Sequence, residues 1–312
     1  MTLLRHVLDE ESGMSEKSNQ NGQGVPSSTA PTVMAYRDAP TRTVDVGDVT
    51  YAYRELGPKG GIPVVFLVHL AANLDNWDPR IVDAVAAHRH VIAFDNRGLG
   101  ATTGSVPTDV EAMTRDAVAF IRALGYQRVD LFGFSLGGMV AQELVVRHPE
   151  LVRKLVLTGT GPKGASMDAV SRVTFYDIFR GAITRSDPKE FLFFGRDAQG
   201  RGAAREFMRR LEERSDRDKA VSLPAILRQL KAIKAWGRSA PHDLSTVRQP
   251  TLIANGDNDR MVDSALSGEL QRRIDGSELI IYPNSGHGGI FQYHEKFAPA
   301  LVGFLADSGE EL

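Results

Sequence analysis

Cysteine is absent from all 312 residues, which removes disulfides, thiolate metal sites, iron–sulfur clusters and cysteine nucleophiles together. An excess of charge of one sign is missing too. Lys+Arg 37 against Asp+Glu 39 leave a formal net charge of -2 at pH 7, which argues against a nucleic-acid binder or an anionic-membrane binder. No apolar run approaches the roughly 18–20 residues that span a bilayer. The opening MTLLRHVLDEESG reaches charged residues too early for a secretory signal, so the expected compartment is the cytoplasm. The hydrophobic share, 42%, is that of an ordinary globular protein. A chain of this length buries about three-quarters of its extended surface, so its core needs no metal or disulfide staple.

Four segments follow from the pattern of residues. The first, 1–40, is polar and rich in Ser, Asn, Gln and Gly, and reads as a flexible tail that docks only near Val33 and Tyr36. From 41 to 161 short apolar runs alternate with amphipathic helices, after a hairpin whose turn falls at Gly47 and Asp48. The runs at 64–68, 91–94, 129–132, 155–157, 252–254 and 279–282 suit strands buried on both faces of a parallel sheet. Thr108 and Glu111 form a capping box before a helix marked by Val110, Met113, Ala117, Ile121 and Leu124. Between 162 and 245 only helices are expected, an insertion that interrupts the alternation, and 246–312 resumes it. The expected class is α/β, with helices on both faces of the sheet.

The strongest chemical signal is Gly133-Phe134-Ser135-Leu136-Gly137, between an apolar strand and a strongly helical stretch. Small residues on both sides of the serine allow a sharp strand-to-helix turn, which lifts the hydroxyl out of the sheet and points a helix N-terminus at it. A serine needs a base, and the base needs an orienting acid. His287, in the loop YPNSGHGG after the last strand, is the expected base; His294 falls at the start of the final helix instead. The loop after TLIAN offers Asp257, Asp259 and Asp263 as acids. Asp257 follows Gly256 directly and suits the turn itself, Asp263 suits a helix start, and Asp259 is the expected partner of His287. The oxyanion of a tetrahedral intermediate needs two N–H donors. Leu136 supplies one, and Ala71, in the loop after VVFLVH, is expected to supply the other, with Leu70 as its neighbouring alternative.

Taken together, His69, the turn Asp95-Asn96-Arg97-Gly98-Leu99-Gly100, the Ser135 elbow, Gly256-Asp257-Asn258-Asp259 and Gly286-His287 resemble the α/β-hydrolase superfamily. The resemblance runs from about Arg42 to Leu305. It implies an eight-stranded, mostly parallel sheet and a helical cap at the insertion, and its acid usually stands three residues after the glycine, at Asp259. Two departures stand out: Leu70 replaces the glycine that usually follows the histidine, and Thr102 replaces a serine after the Arg-Gly-x-Gly turn.

The expected activity is cleavage of a small-molecule carboxylic ester or lactone through Ser135, His287 and Asp259, without cofactor or metal, and without a nucleic-acid or membrane partner. Relatives with the same three residue types also hydrolyse carbon–carbon bonds or act as cofactor-free haloperoxidases, and a non-catalytic ligand-binding protein on the same fold is the remaining alternative. Pocket walls are expected from Leu70 and from the cap aromatics Phe175, Phe179 and Trp236.

Overall fold

The apolar runs become strands whose residues are buried on both faces, as in β3 (Val64–Leu67) and β4 (Val91–Phe94). In this computed structural model, which describes residues 34–306, eight strands form one sheet. Before those two come β1 (Arg42–Val46) and β2 (Val49–Leu56); after them come β5 (Val129–Phe134), β6 (Val152–Thr158), β7 (Thr251–Gly256) and β8 (Glu278–Tyr282). The order across the sheet is β1-β2-β4-β3-β5-β6-β7-β8. Strand β2 pairs antiparallel with both its neighbours and every other pair is parallel. The hairpin turns at Gly47, whose φ of 62° belongs to the left-handed region open to glycine.

Among the described residues ten α-helices lie between or after the strands: α1 (Pro79–Ala86), α2 (Val110–Ala123), α3 (Leu136–Arg147), α4 (Asp168–Thr184), α5 (Pro188–Leu192), α6 (Ala198–Leu211), α7 (Leu223–Arg238), α8 (Ala265–Arg273), α9 (Gly289–Gln292) and α10 (His294–Leu305). The crossover through α1 steps from β3 to β4, one way along the sheet, whereas those through α3 and α8 step the other way. Right-handed crossovers therefore put α1 on one face and α3 and α8 on the other. The step reverses at β3, which lies between β4 and β5, and a crevice opens there at the strands' C-terminal ends. The loops after β3 and β5 are the ones that carry His69 and Ser135.

Most of the expected tail, residues 1–33, lies outside the described residues, as do 307–312. From Tyr36 the chain is docked: the Tyr36 hydroxyl donates to Leu74 O at 2.7 Å and its N–H to Asp83 Oδ1 at 2.7 Å. Helix α2 is capped by Asp109, whose carboxylate accepts from Ala112 N, rather than by Thr108; either residue type can cap, and the chain turns one position later. The segment between β6 and β7 carries α4, α5, α6 and α7 and no strand. No helix among the described residues is long and apolar enough to cross a membrane.

Candidate active site

Ser135 adopts φ 56° and ψ −115°, a conformation that few non-glycine residues take. The glycines around it make the turn possible. A Cβ on Gly137 would lie 1.9 Å from the Leu67 carbonyl oxygen, and one on Gly133 would lie 2.6 Å from the Gly137 oxygen. The strand and helix thus approach more closely than any side chain allows. Ser135 N donates to Thr158 O at 2.8 Å, tying the turn to β6. Leu136 follows as the first residue of α3, where a helix N–H has no acceptor within the helix.

His287 and Asp259 meet across the C-terminal edge of the sheet. Asp259 Oδ2 lies 2.7 Å from His287 Nδ1, with both side chains buried. The other Asp259 oxygen accepts from the N–H groups of Met261 at 2.8 Å and Val262 at 3.0 Å, which fixes the carboxylate. The rival aspartates are engaged locally: Asp257 Oδ1 accepts from Asn258 Nδ2 and Ser285 N, and Asp263 Oδ1 from Ala265 N at the start of α8. With Nδ1–H donated to Asp259, His287 Nε2 is left as an acceptor. Ser135 and His287 line one cavity of about 210 Å³. No hydrogen bond joins Ser135 Oγ to His287 Nε2; such bonds often close only when a ligand is bound.

The His287 loop is held by the helical insertion. His287 N donates to Leu192 O at 2.9 Å and Gly288 N to Phe193 O at 3.0 Å. Gly286 permits this approach, since a Cβ there would come within 2.5 Å of Leu192 O. These two backbone acceptors carry no sequence signature.

His69 closes the floor of the cavity. Burial, reinforced by the nearby Lys189 ammonium, holds its imidazole down to about 3, so it is neutral. Its Nδ1 donates to Leu70 O at 2.8 Å, and its ring packs edge-on against Phe134 and Phe193. Leu70 and Ala71 line the cavity as expected of that loop. Ala71 has φ 58°, and its N–H donates to Gln229 Oε1 at 2.9 Å, so the donor expected to serve an oxyanion already has an acceptor.

The remaining walls differ from expectation. Thr174, Ile178, Leu192, Phe193, Ile226 and Met261 line the cavity, and Phe175, Phe179 and Trp236 do not. Phe175 and Phe179 lie about 100° round α4 from Thr174 and Ile178, and are 43% and 67% exposed. Trp236 is buried, with its indole N–H on Gly161 O at 3.3 Å and the Lys163 ammonium over its ring. The cavity's charged pair is Lys189 and Asp187, 2.8 Å apart, where Asp187 also caps α5. A larger cleft of about 400 Å³, beside Phe191, Arg196 and Arg260, contains neither Ser135 nor His287. Among the described residues no group of three or more His, Asp or Glu side chains is placed to hold a metal ion.

Comparison with known proteins agrees with this architecture. The chain is 38% identical over 272 residues to a protein of Mycobacterium tuberculosis provisionally named non-heme bromoperoxidase BpoC, covering 83% of this chain and 98% of that one. An alpha/beta hydrolase fold protein from Chitinophaga pinensis superposes with a TM-score of 0.81 at 37% identity, over 88% of this chain and 100% of that one. The enol-lactonase of Burkholderia xenovorans LB400 shares the fold, with a TM-score of 0.68 at 20% identity over 85% of this chain and 100% of that one. Residues 62–292, which run from just before β3 to the end of α9 and so include every residue of the site described above, match the family described as alpha/beta hydrolase fold, and the chain belongs to that family of hydrolases.

Proposed function

We propose that this protein is a serine hydrolase that cleaves a small carboxylic ester or lactone through an acyl-enzyme. The observation that carries the reading is the 2.7 Å contact between Asp259 and His287 beside a serine on a strained elbow, all at one cavity. Ser135 Oγ attacks the carbonyl carbon while His287 Nε2 takes its proton. Asp259 keeps the imidazole in the tautomer that leaves Nε2 free, and stabilises the imidazolium that forms. The N–H groups of Leu136 and Ala71 receive the negative charge on the former carbonyl oxygen. His287 then gives its proton to the leaving alkoxide, and water, activated by the same imidazole, releases the acid. A cavity of about 210 Å³ is below the ~300–1,000 Å³ usual for ligand sites and suits a compact acyl group. Residues 162–245 would form the cap over it.

Labelling by a fluorophosphonate, read by mass spectrometry at Ser135, tests the nucleophile directly. Ester hydrolysis by Ser135→Ala should fall by about 10⁴–10⁶ in kcat, with an unchanged circular dichroism spectrum. An unlabelled serine, or a mutant retaining a tenth of the activity, would overturn the reading.

The name of the 38%-identical relative favours a second use of the same groups. Hydrogen peroxide attacking the acyl-enzyme in place of water would release a peracid, which oxidises bromide in solution. Peroxide- and carboxylate-dependent bromination that vanishes in Ser135→Ala is the measurement that assigns this activity.

A further inference from the structure

Gln229 comes from α7, far from the elbow in sequence, yet its side chain ends on one of the two N–H groups that an oxyanion would need. Its Oε1 accepts from Ala71 N at 2.9 Å across 158 residues of chain. The side chain is wholly buried, and its Nε2 has no hydrogen-bond partner. Leaving a buried amide N–H₂ unpaired is costly. Reversing the amide does not relieve that cost, because the Ala71 N–H can only donate and would face a second donor. The bond to Ala71 is therefore the sole polar anchor of Gln229 among the described residues, made to a backbone held at a left-handed φ. Chemically it is the contact that an ester carbonyl would make in the same place: a neutral sp² oxygen on the Ala71 N–H.

We infer that Gln229 is the resting occupant of the Ala71 oxyanion donor, a gate that the substrate's carbonyl oxygen must displace before Ser135 reacts. The inference rests on the hydrolase reading given above. At the Ala71 N–H, displacement exchanges one neutral hydrogen bond for another; Nε2 has no bond to lose, and the cost falls on Oε1, which gives up its only partner as the amide turns away. Ile226, three residues earlier on α7, lines the cavity beside Ser135. The acyl group that presses on Ile226 and the carbonyl that replaces Gln229 Oε1 thus act on the same helix. Gln229 consequently selects for esters whose acyl group fills the space against α7.

The test follows the second-order rate of phosphonate labelling at Ser135. Gln229→Met keeps the length and removes the competing oxygen, so labelling should quicken about 2- to 12-fold, the range that one neutral hydrogen bond of ~0.5–1.5 kcal/mol carries. Gln229→Glu should label more slowly than the wild type, and the ratio of the two rates should fall as pH rises and the carboxylate grips the N–H. A purely structural glutamine would move stability in both variants and leave that ratio flat. A crystal structure of the wild-type phosphonate adduct makes the test independent of how the variants fold. The phosphoryl oxygen should accept from Ala71 N, with Gln229 Oε1 out of hydrogen-bond reach. An adduct in which Gln229 still holds the Ala71 N–H overturns the gate and leaves the hydrolase reading standing. A wild-type Ser135 that takes no label overturns both.

Discussion

Gly137 shows how little freedom the elbow has. Its missing side chain lets α3 begin against the Leu67 carbonyl, and that carbonyl belongs to β3, which cannot give way without breaking pairs on both sides. Gly137→Ala should therefore lower the melting temperature and abolish activity together. Overpacking typically costs about 1–3 kcal/mol, and a backbone atom at this distance puts the variant at the upper end or beyond it. The acid can be separated from its neighbours by the same kind of single change. Asp259→Asn preserves shape but leaves the imidazole in the wrong tautomer, so kcat should drop about 10³–10⁴-fold. Asp257→Asn and Asp263→Asn, whose carboxylates serve a turn and a helix start, should each cost less than about tenfold. Purified variants assayed at saturating ester between pH 6 and 9 decide the assignment; a larger loss in Asp257→Asn would move the acid by two positions.

The helices of the insertion are two-sided, and which side faces the cavity governs selectivity. On α4, Thr174 and Ile178 point to the cavity, whereas Phe175, Phe179 and Ile183 turn outward. Ile178→Ala and Ile226→Ala should enlarge the cavity and shift the preference among acetyl, butyryl and hexanoyl esters toward longer chains. Phe179→Ala, at a side chain 67% exposed, should leave that profile unchanged and alter stability by no more than about 0.5 kcal/mol. A profile that follows Phe179 instead of Ile178 would reverse the orientation of α4. The sheet was legible because buried parallel strands are continuous apolar runs, and Val91–Phe94 was found to the residue. The elbow and the loops of His69, Asp259 and His287 were legible because each is a short motif attached to a strand end. The walls were not. Aromatic side chains on α4 fit an outer apolar stripe as well as a pocket, and periodicity names a face without saying what it meets. Pairings between distant segments were equally hidden: nothing local marks Leu192 O as an acceptor for the His287 loop, or Gln229 as the partner of Ala71.

Across the whole molecule, two buried carboxyl groups pull stability in opposite directions with pH. Asp95, just after β4, ties the loop of His69 and Ala71 to the sheet by accepting from Leu74 N at 2.7 Å, and closes its own turn by accepting from Ala101 N at 3.3 Å. Burial pushes its carboxyl up to about 7 from 3.8, although those N–H groups pull the other way. The folded state thus keeps a proton that the unfolded chain has already released. The contribution is fully present below about 3.8 and is lost as pH rises to about 7, on the order of 4 kcal/mol for a shift of this size. Glu143, on α3, the helix that follows Ser135, behaves oppositely. Burial would raise it, but hydrogen bonds from His242, Arg147 and Lys163 outweigh that and hold it down at about 2 from 4.5. Its contribution is present above about 4.5 and lost as pH falls toward about 2. Lys163 precedes α4 and His242 precedes β7, so this one carboxylate fastens both ends of the helical insertion, at 2.9 Å and 2.6 Å. Asp95→Asn mimics the protonated acid and should gain stability relative to the wild type steadily between pH 4 and pH 7. Glu143→Gln leaves Lys163 only Glu111 as an ion-pair partner among the described residues and should cost about 3–5 kcal/mol at neutral pH, with the deficit shrinking toward pH 2. Thermal unfolding of the three proteins across pH 2–8 measures both slopes. Asp95→Asn should then leave the wild-type loss below pH 4.5 in place, while Glu143→Gln removes it. A stability difference between Asp95→Asn and the wild type that stays flat from pH 4 to pH 7 would show that the Asp95 carboxyl is ionised in the fold and held by its two N–H donors.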